Sequence, residues 1–230
     1  MRRGFTLVEL LVVIAIIATL AGIGVPVIIA QKKKGDLTEA ISNSKSIGLA
    51  MFNFDQDYGG YPSDSTVDSV SKQSADTSLA FPGGNSNSYF RQLIAGGYAD
   101  NEKTFYAKAP YTKKPDGDLK GAAALAAGEV GFAYIMQSGG VALPDSGNSG
   151  RPLIVAAVYN GLADQTFDVD VYARQAVVYR MDNSATAEQI QPSTKNVMLK
   201  SGQTLFATGD STVWGTDIQP VIIPPIKTGG

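Results

Sequence analysis

Glu9 is the residue of this 230-residue chain whose setting most demands a chemical explanation. It stands one position before an apolar run, Leu10 to Ala30, interrupted only by Thr19, Gly22, Gly24 and Pro26. A carboxylate held in lipid is costly unless a cation neutralises it, so its place at the head of such a run implies a partner. Two other acidic groupings invite a chemical reading. Asp116-Gly117-Asp118, and Asp164 with Asp168 and Asp170, have the oxygen-rich look of calcium loops. Neither supplies the regular ligand spacing closed by a bidentate glutamate, so both read as surface turns and no metal or other cofactor is assigned. The chain contains no cysteine and no histidine. That removes disulfides, thiolate chemistry and the commonest general base and metal ligand. No Gly-x-Ser-x-Gly elbow or phosphate-cradling loop stands out, and the ten tyrosines are scattered as packing residues would be. The residue types point away from an enzyme.

The element that must position Glu9 is a helix. At ~1.5 Å per residue, Leu10 to Ala30 covers the ~30 Å of a hydrocarbon core, which predicts a membrane span. Arg2 and Arg3 on one side oppose Lys32, Lys33 and Lys34 on the other, so flanking charge leaves the orientation open. A cleaved secretory signal ending near Ala18-Thr19-Leu20-Ala21 is one rival, but Glu9 breaks its approach and the apolar run continues well past that site. A plain single-span anchor is the other. From Leu37 the apolar positions run Leu37, Ala40, Ile41, Ile47, Ala50, Met51, Phe54 and Tyr58, spaced by three or four except at Ser44. This half is amphipathic and requires a sheet against it. Gly59-Gly60 supplies a left-handed stop and Pro62 forbids continuation, so Phe5 to Tyr58 predicts ~80 Å of helix. Gly22, Gly24 and Pro26 form a weak segment within it, read either as a tolerated kink or as a stretch that unwinds during assembly.

Gly4-Phe5-Thr6-Leu7-Val8-Glu9, after a short leader carrying Arg2 and Arg3 and before an apolar helix containing Pro26, resembles the class III signal of type IV pilins and type II secretion pseudopilins. The resemblance covers the chain up to Pro62 and thins to architecture beyond it. The exit Asp55-Gln56-Asp57-Tyr58-Gly59-Gly60-Tyr61-Pro62 is similar to that of the major, G-type pseudopilins. The resemblance implies cleavage after Gly4 by a prepilin peptidase, N-methylation of Phe5, and homo-polymerisation through the N-terminal helices. In it Glu9 sets the register of each subunit by pairing with an amine at Phe5. It also implies a bacterial inner-membrane protein with a cytoplasmic N-terminus, and an inner-membrane assembly platform, minor pilins and the lipid bilayer as partners. The function so implied is that of a pseudopilin filament subunit serving protein export. The alternatives are a type IV pilin in an extracellular fibre for adhesion, motility or DNA uptake, and, outside the family, a membrane-anchored extracytoplasmic binding or enzyme domain. The disulfide that closes the C-terminal region of many type IV pilins cannot form here, so a non-covalent device must hold the tail. The C-terminal calcium loop of G-type pseudopilins cannot be laid on Ser201 to Asp217.

The net charge is −2, and loss of Arg2 and Arg3 leaves 17 basic against 21 acidic residues, a net −4. With no basic stripe, nucleic acid is not an expected partner. A stem of ~50 residues leaves about 170, enough for one head domain. The expected organisation is a leader over 1–4, a transmembrane and filament-core helix over 5–30, an amphipathic stem over 31–58, a variable connector over 59–129, and a sheet with a C-terminal strap over 130–230. Within the connector, Ser63 to Asn87 reads as surface loop. A short helix capped by Ser86 to Ser88 ends at Gly96-Gly97, Asp100 caps a turn through Phe105, Lys108 to Asp118 is loop, and Leu119 to Ala127 is a further helix. Strands are expected at Val130–Gln137, Leu153–Tyr159, Phe167–Tyr172, Gln175–Arg180 and Ala185–Ile190, giving four or five antiparallel strands. Asn196–Lys200, Leu205–Ala207 and Thr212–Gly215 are too short to assign. The proline-broken tail Val221 to Ile226 can serve only as an edge strand or strap. The fold class is α+β, a long N-terminal helix packed on an antiparallel sheet, which is the pilin fold of the resemblance.

Overall fold

The computed structural model describes residues 6–160, 165–199 and 201–228, side chains at 23, 24, 26, 159 and 160 aside. Helix α1 spans Leu7–Tyr58, 52 residues. Thr6 opens it in extended conformation, and Gly59 closes it at φ 71° with its amide donating to the Asp55 carbonyl at 2.8 Å. That left-handed cap needs a glycine at little cost, as the sequence supplies. Leu37, Ala40, Ser44, Ile47, Ala50, Met51 and Phe54 form the buried face. Ser44 does not interrupt it. Its hydroxyl donates to the Ile41 carbonyl at 2.8 Å, so the polar group is satisfied inside the interface. At Gly48 the helix comes so close to the sheet that a Cβ would lie 1.9 Å from the Tyr179 ring.

The sheet has five antiparallel strands: β1 (Ala133–Met136), β2 (Pro152–Ala156), β5 (Gln175–Arg180), β6 (Ala185–Gln189) and β7 (Val221–Ile223). Their order across the sheet is β6-β5-β2-β1-β7, with Ala133 opposite Val155 and Tyr134 opposite Ile223. A separate pair joins β3 (Val158–Asn160) to β4 (Thr166–Phe167). Every residue of β1 and β2 is buried, whereas no residue of the edge strand β6 is. The sheet centre is therefore covered on both faces, which explains continuous apolar runs rather than alternation. The architecture is α+β, a long helix on an antiparallel sheet.

Several boundaries differ from expectation. Ser63 to Asn87 is not all loop, because a 3-10 turn at Asp64–Thr66 leads into α2 (Val67–Gln73). A single apolar anchor, Val70, is fully buried there, and Thr66 donates its hydroxyl to Gln92 Oε1 at 2.6 Å. A helix held by polar bonds leaves no apolar period to read. Helix α3 (Ser86–Ala95) is capped by Asn85, whose side chain accepts from the Ser88 amide at 2.9 Å, while Ser86 is inside and donates to the Phe132 carbonyl. Asn101, not Asp100, caps the 3-10 turn Glu102–Phe105. Leu119 to Ala127 forms successive turns instead of a helix, with Leu125 at φ 49°. Its carbonyls face inward: Arg91 donates to Ala124 and Leu125, and Asn87 to Leu125 and Ala126. The expected strand Val130–Gln137 begins only at Ala133, because Gly131 is pressed against Ala107 and its amide bonds the Phe105 carbonyl. Leu153–Tyr159 is divided between β2 and β3. Phe167–Tyr172 keeps only its first residue in β4, since Asp168 accepts from the Asp170 amide and turns the chain.

The tail is fixed by hydrogen bonds. After β7 pairs with β1 as an edge strand, the Ser86 amide bonds the Pro224 carbonyl at 3.0 Å and the Ile226 amide bonds Asn87 Oδ1 at 2.8 Å. The Gly128 amide then bonds the Ile226 carbonyl at 2.7 Å, and Thr228 bonds the Tyr111 carbonyl through its amide and hydroxyl.

Candidate functional site

Gly4 and Phe5 lie outside the described residues. Glu9 occupies the first turn of α1, where the helix begins with a capping box. Its Oε2 accepts from the Thr6 amide and the Thr6 hydroxyl, each at 2.8 Å, and the Thr6 hydroxyl accepts from the Glu9 amide at 3.2 Å. The reciprocal bonds satisfy donors that a helix N-terminus otherwise leaves open. A threonine three residues before a glutamate at the head of an apolar run is the sequence signature of this box, and it lies inside the Gly4 to Glu9 motif. In the lone chain the carboxylate is therefore occupied but exposed. A cation from outside can approach it, in competition with two neutral donors.

Behind Glu9 the described side chains between Leu10 and Ile29 are exposed and mostly apolar, with exposures from 45% at Val13 to 67% at Ile28 among the large ones. A surface of that kind is stable only in lipid or against other apolar helices. Helix α1 is long and apolar enough to cross a membrane. The helix runs through Gly22, Gly24 and Pro26, and no atom beyond the helix backbone lies within 4 Å of where a Cβ on Gly22 would point. Thr19 returns its hydroxyl to the Ala15 carbonyl at 2.8 Å, so the run exposes no unsatisfied hydroxyl.

At its other end the stem is clamped. Phe54 stacks on Tyr58 with centroids 4.3 Å apart, and Tyr98 meets both rings edge-on. Tyr98 donates to Asp57 at 2.6 Å and Tyr58 to Gln73 at 2.7 Å. Asp55, at the same exit, has its carboxyl raised by burial and by Asp145, and burial with Asp55 nearby pushes the Tyr61 phenol up to about 12.

In the head, Asp116 and Asp168 sit in turns, as their sequence setting predicts. Asp116 turns its own loop by accepting from the Asp118 amide, and Asp164 lies outside the described residues. Asp116 also meets Glu102 and Glu129, whose carboxylate oxygens come within 4.8 Å of one another. Both glutamates are buried and engaged. Glu102 accepts the Leu125 and Gly117 amides, Glu129 accepts the Ala126 amide, and the Lys113 ammonium lies 3.2 Å from the other Glu129 oxygen. Burial, ahead of the neighbouring carboxylates, raises the Glu102 carboxyl above its ordinary value. This cluster ties the connector together and brings its own cation.

The chemistry of the described residues thus concentrates in the stem. The prokaryotic N-terminal methylation motif matches residues 1–25. The chain is 40% identical over 62 residues to the type II secretion system core protein G of Pectobacterium carotovorum subsp. carotovorum, which is 27% of this chain and 40% of that protein. It is 39% identical over 61 residues to the protein of the same name in Escherichia coli strain K12, which is 26% of this chain and 42% of that one. No solved structure matches the chain. The chain spans about two fifths of the length of the curated relatives it matches, and the methylation motif lies within its N-terminal stem.

Proposed function

We propose that this chain is a filament subunit, a pseudopilin of a type II secretion system, and that it has no catalytic role. The observation that carries the reading is an exposed apolar half-helix headed by one carboxylate, in the region that matches core protein G. In this reading residues 1–4 are removed after Gly4 by a prepilin peptidase, and the new Phe5 amine is methylated. The stem first anchors the subunit in the inner membrane with its N-terminus cytoplasmic. It then packs against other stems, on an assembly platform and with minor subunits, as the filament grows. Glu9 receives the Phe5 amine of a neighbour. A unit cation at ~4 Å with an effective dielectric of ~20 is attracted far more strongly than a neutral hydroxyl donor is, which favours exchange of Thr6 for the amine. The head rides outside as the part that meets the envelope.

The test is expression of the full chain with a prepilin peptidase. Intact mass of the membrane-extracted protein is expected to start at Phe5 with one added methyl, and sheared material is expected to contain fibres of this subunit when it is overproduced. Retention of Met1 would overturn the class III reading. A processed protein that never polymerises would leave only the membrane anchor.

A further inference from the structure

Where α1 leaves its apolar half, a groove of about 390 Å³ opens between the stem and the underside of the head. The stem lines it with Ile29, Lys32, Lys33 and Asp36, and the head with Lys108, Ala109, Pro110, Asp170 and Val171. Three lysines and two aspartates line it, so the lining carries one net positive charge. Lys108 is taken by Asp36 at 3.3 Å. Lys32 and Lys33 remain at the rim, within about one helical turn beyond the last large apolar residue of the span, Ile29. A span that fills the hydrocarbon core places those two lysines at the depth of lipid phosphates. The walls formed by Ile29, Pro110 and Val171 suit the glycerol and first methylenes beneath a headgroup.

We propose that this groove seats the headgroup of one anionic phospholipid, its phosphate between Lys32 and Lys33, while the subunit resides in the membrane. The proposal rests on the membrane reading of α1 but not on filament formation. The seat holds the head down on the bilayer, and a subunit leaving the membrane must give the lipid up.

The experiment uses the full chain in mild detergent, offered equal concentrations of short-chain phosphatidylglycerol and phosphatidylcholine, with retained lipid counted by native mass spectrometry. One phosphatidylglycerol per chain is expected to be retained in preference to phosphatidylcholine. Each juxtamembrane lysine near an anionic lipid is worth roughly fivefold in affinity, so Lys32→Gln with Lys33→Gln is expected to weaken retention about twenty-five-fold. Lys72→Gln, on α2 and away from the groove, is expected to change nothing. Equal retention of the two lipids by the wild-type chain, or unchanged retention by the double variant, overturns the seat. Displacement by the same concentration of inorganic phosphate overturns the lipid in favour of a free anion. If the double variant does not fold, the wild-type preference decides by itself. A chain that fails to float with phospholipid vesicles fails the membrane reading first, and separately.

Discussion

Thr6 and Glu9 keep each other satisfied in a solitary chain, so in the proposed filament a neighbour's amine gains only the difference between an ion pair and two charge-assisted bonds from neutral donors. Glu9→Ala is expected to leave processing, insertion and head folding intact while sharply reducing fibres in sheared material. Glu9→Gln preserves the shape and the capping bond to Thr6 but loses the charge, and is expected to behave like alanine. Normal fibre yield from either variant would reduce Glu9 to a helix cap. The capping box was legible in the sequence, because both partners lie within one turn. Gly48 was not, because what excludes a side chain there is Tyr179, which belongs to a strand far along the chain. Gly48→Ala is expected to cost about 1–3 kcal/mol through overpacking, read as a lowered Tm, and the cost in a Tyr179→Ala background is expected to be much smaller. Glu102 has a folded-state pKa raised above its unfolded value by burial. Its contribution to stability is therefore fully present below the unfolded value and is lost as pH rises through the folded one. Between about pH 4 and pH 7, the Tm difference between wild type and Glu102→Gln is expected to move against the wild type as pH rises. A constant difference would show that Glu102 titrates alike in both states.

Elements with a strong period were readable, and elements held by polar bonds were not. The buried face of α1 follows a spacing of three and four, and β5 pairs with β6 across the short connection that the expected strands Gln175–Arg180 and Ala185–Ile190 leave between them. The alanine-rich stretch Leu119 to Ala127 has helix propensity, yet its carbonyls serve Arg91 and Asn87 and a regular helix would consume them. Asn87 is the pivot between elements, donating to the 125–126 turn and accepting from the tail at Ile226. Asn87→Leu is expected to leave buried backbone groups unpaired at a cost of about 1–3 kcal/mol, and to raise hydrogen exchange at the amides of Ile226 and Gly128 before those of β2 and β5. For α1, changing Gly22, Gly24 and Pro26 together to alanine is expected to stiffen the isolated helix by a few kcal/mol. Insertion should persist while filament rise or yield changes. An unchanged filament would mean that the segment has no part in packing.

At the scale of the whole molecule, a helix of ~78 Å divides its length between a surface that needs lipid or other helices and a surface that completes a head. The first half was readable from hydropathy and the acidic first turn alone. The groove beneath the head was not, since Lys108, Pro110 and Asp170 reach the stem through tertiary folding rather than through any local pattern. The tail has a consequence for the order of events in time. β7 lies later in the chain than every other strand, yet it covers the open edge of β1, and the residues after it cross-tie α3 to the connector. Because a polypeptide emerges from its N-terminus onward, the stem reaches the bilayer while β1 still lacks its outer neighbour. In the proposed topology, with the head outside the inner membrane, the head can close only after that last segment has crossed. Until then each nascent chain displays an unpaired strand edge, the feature most apt to join a sister chain prematurely.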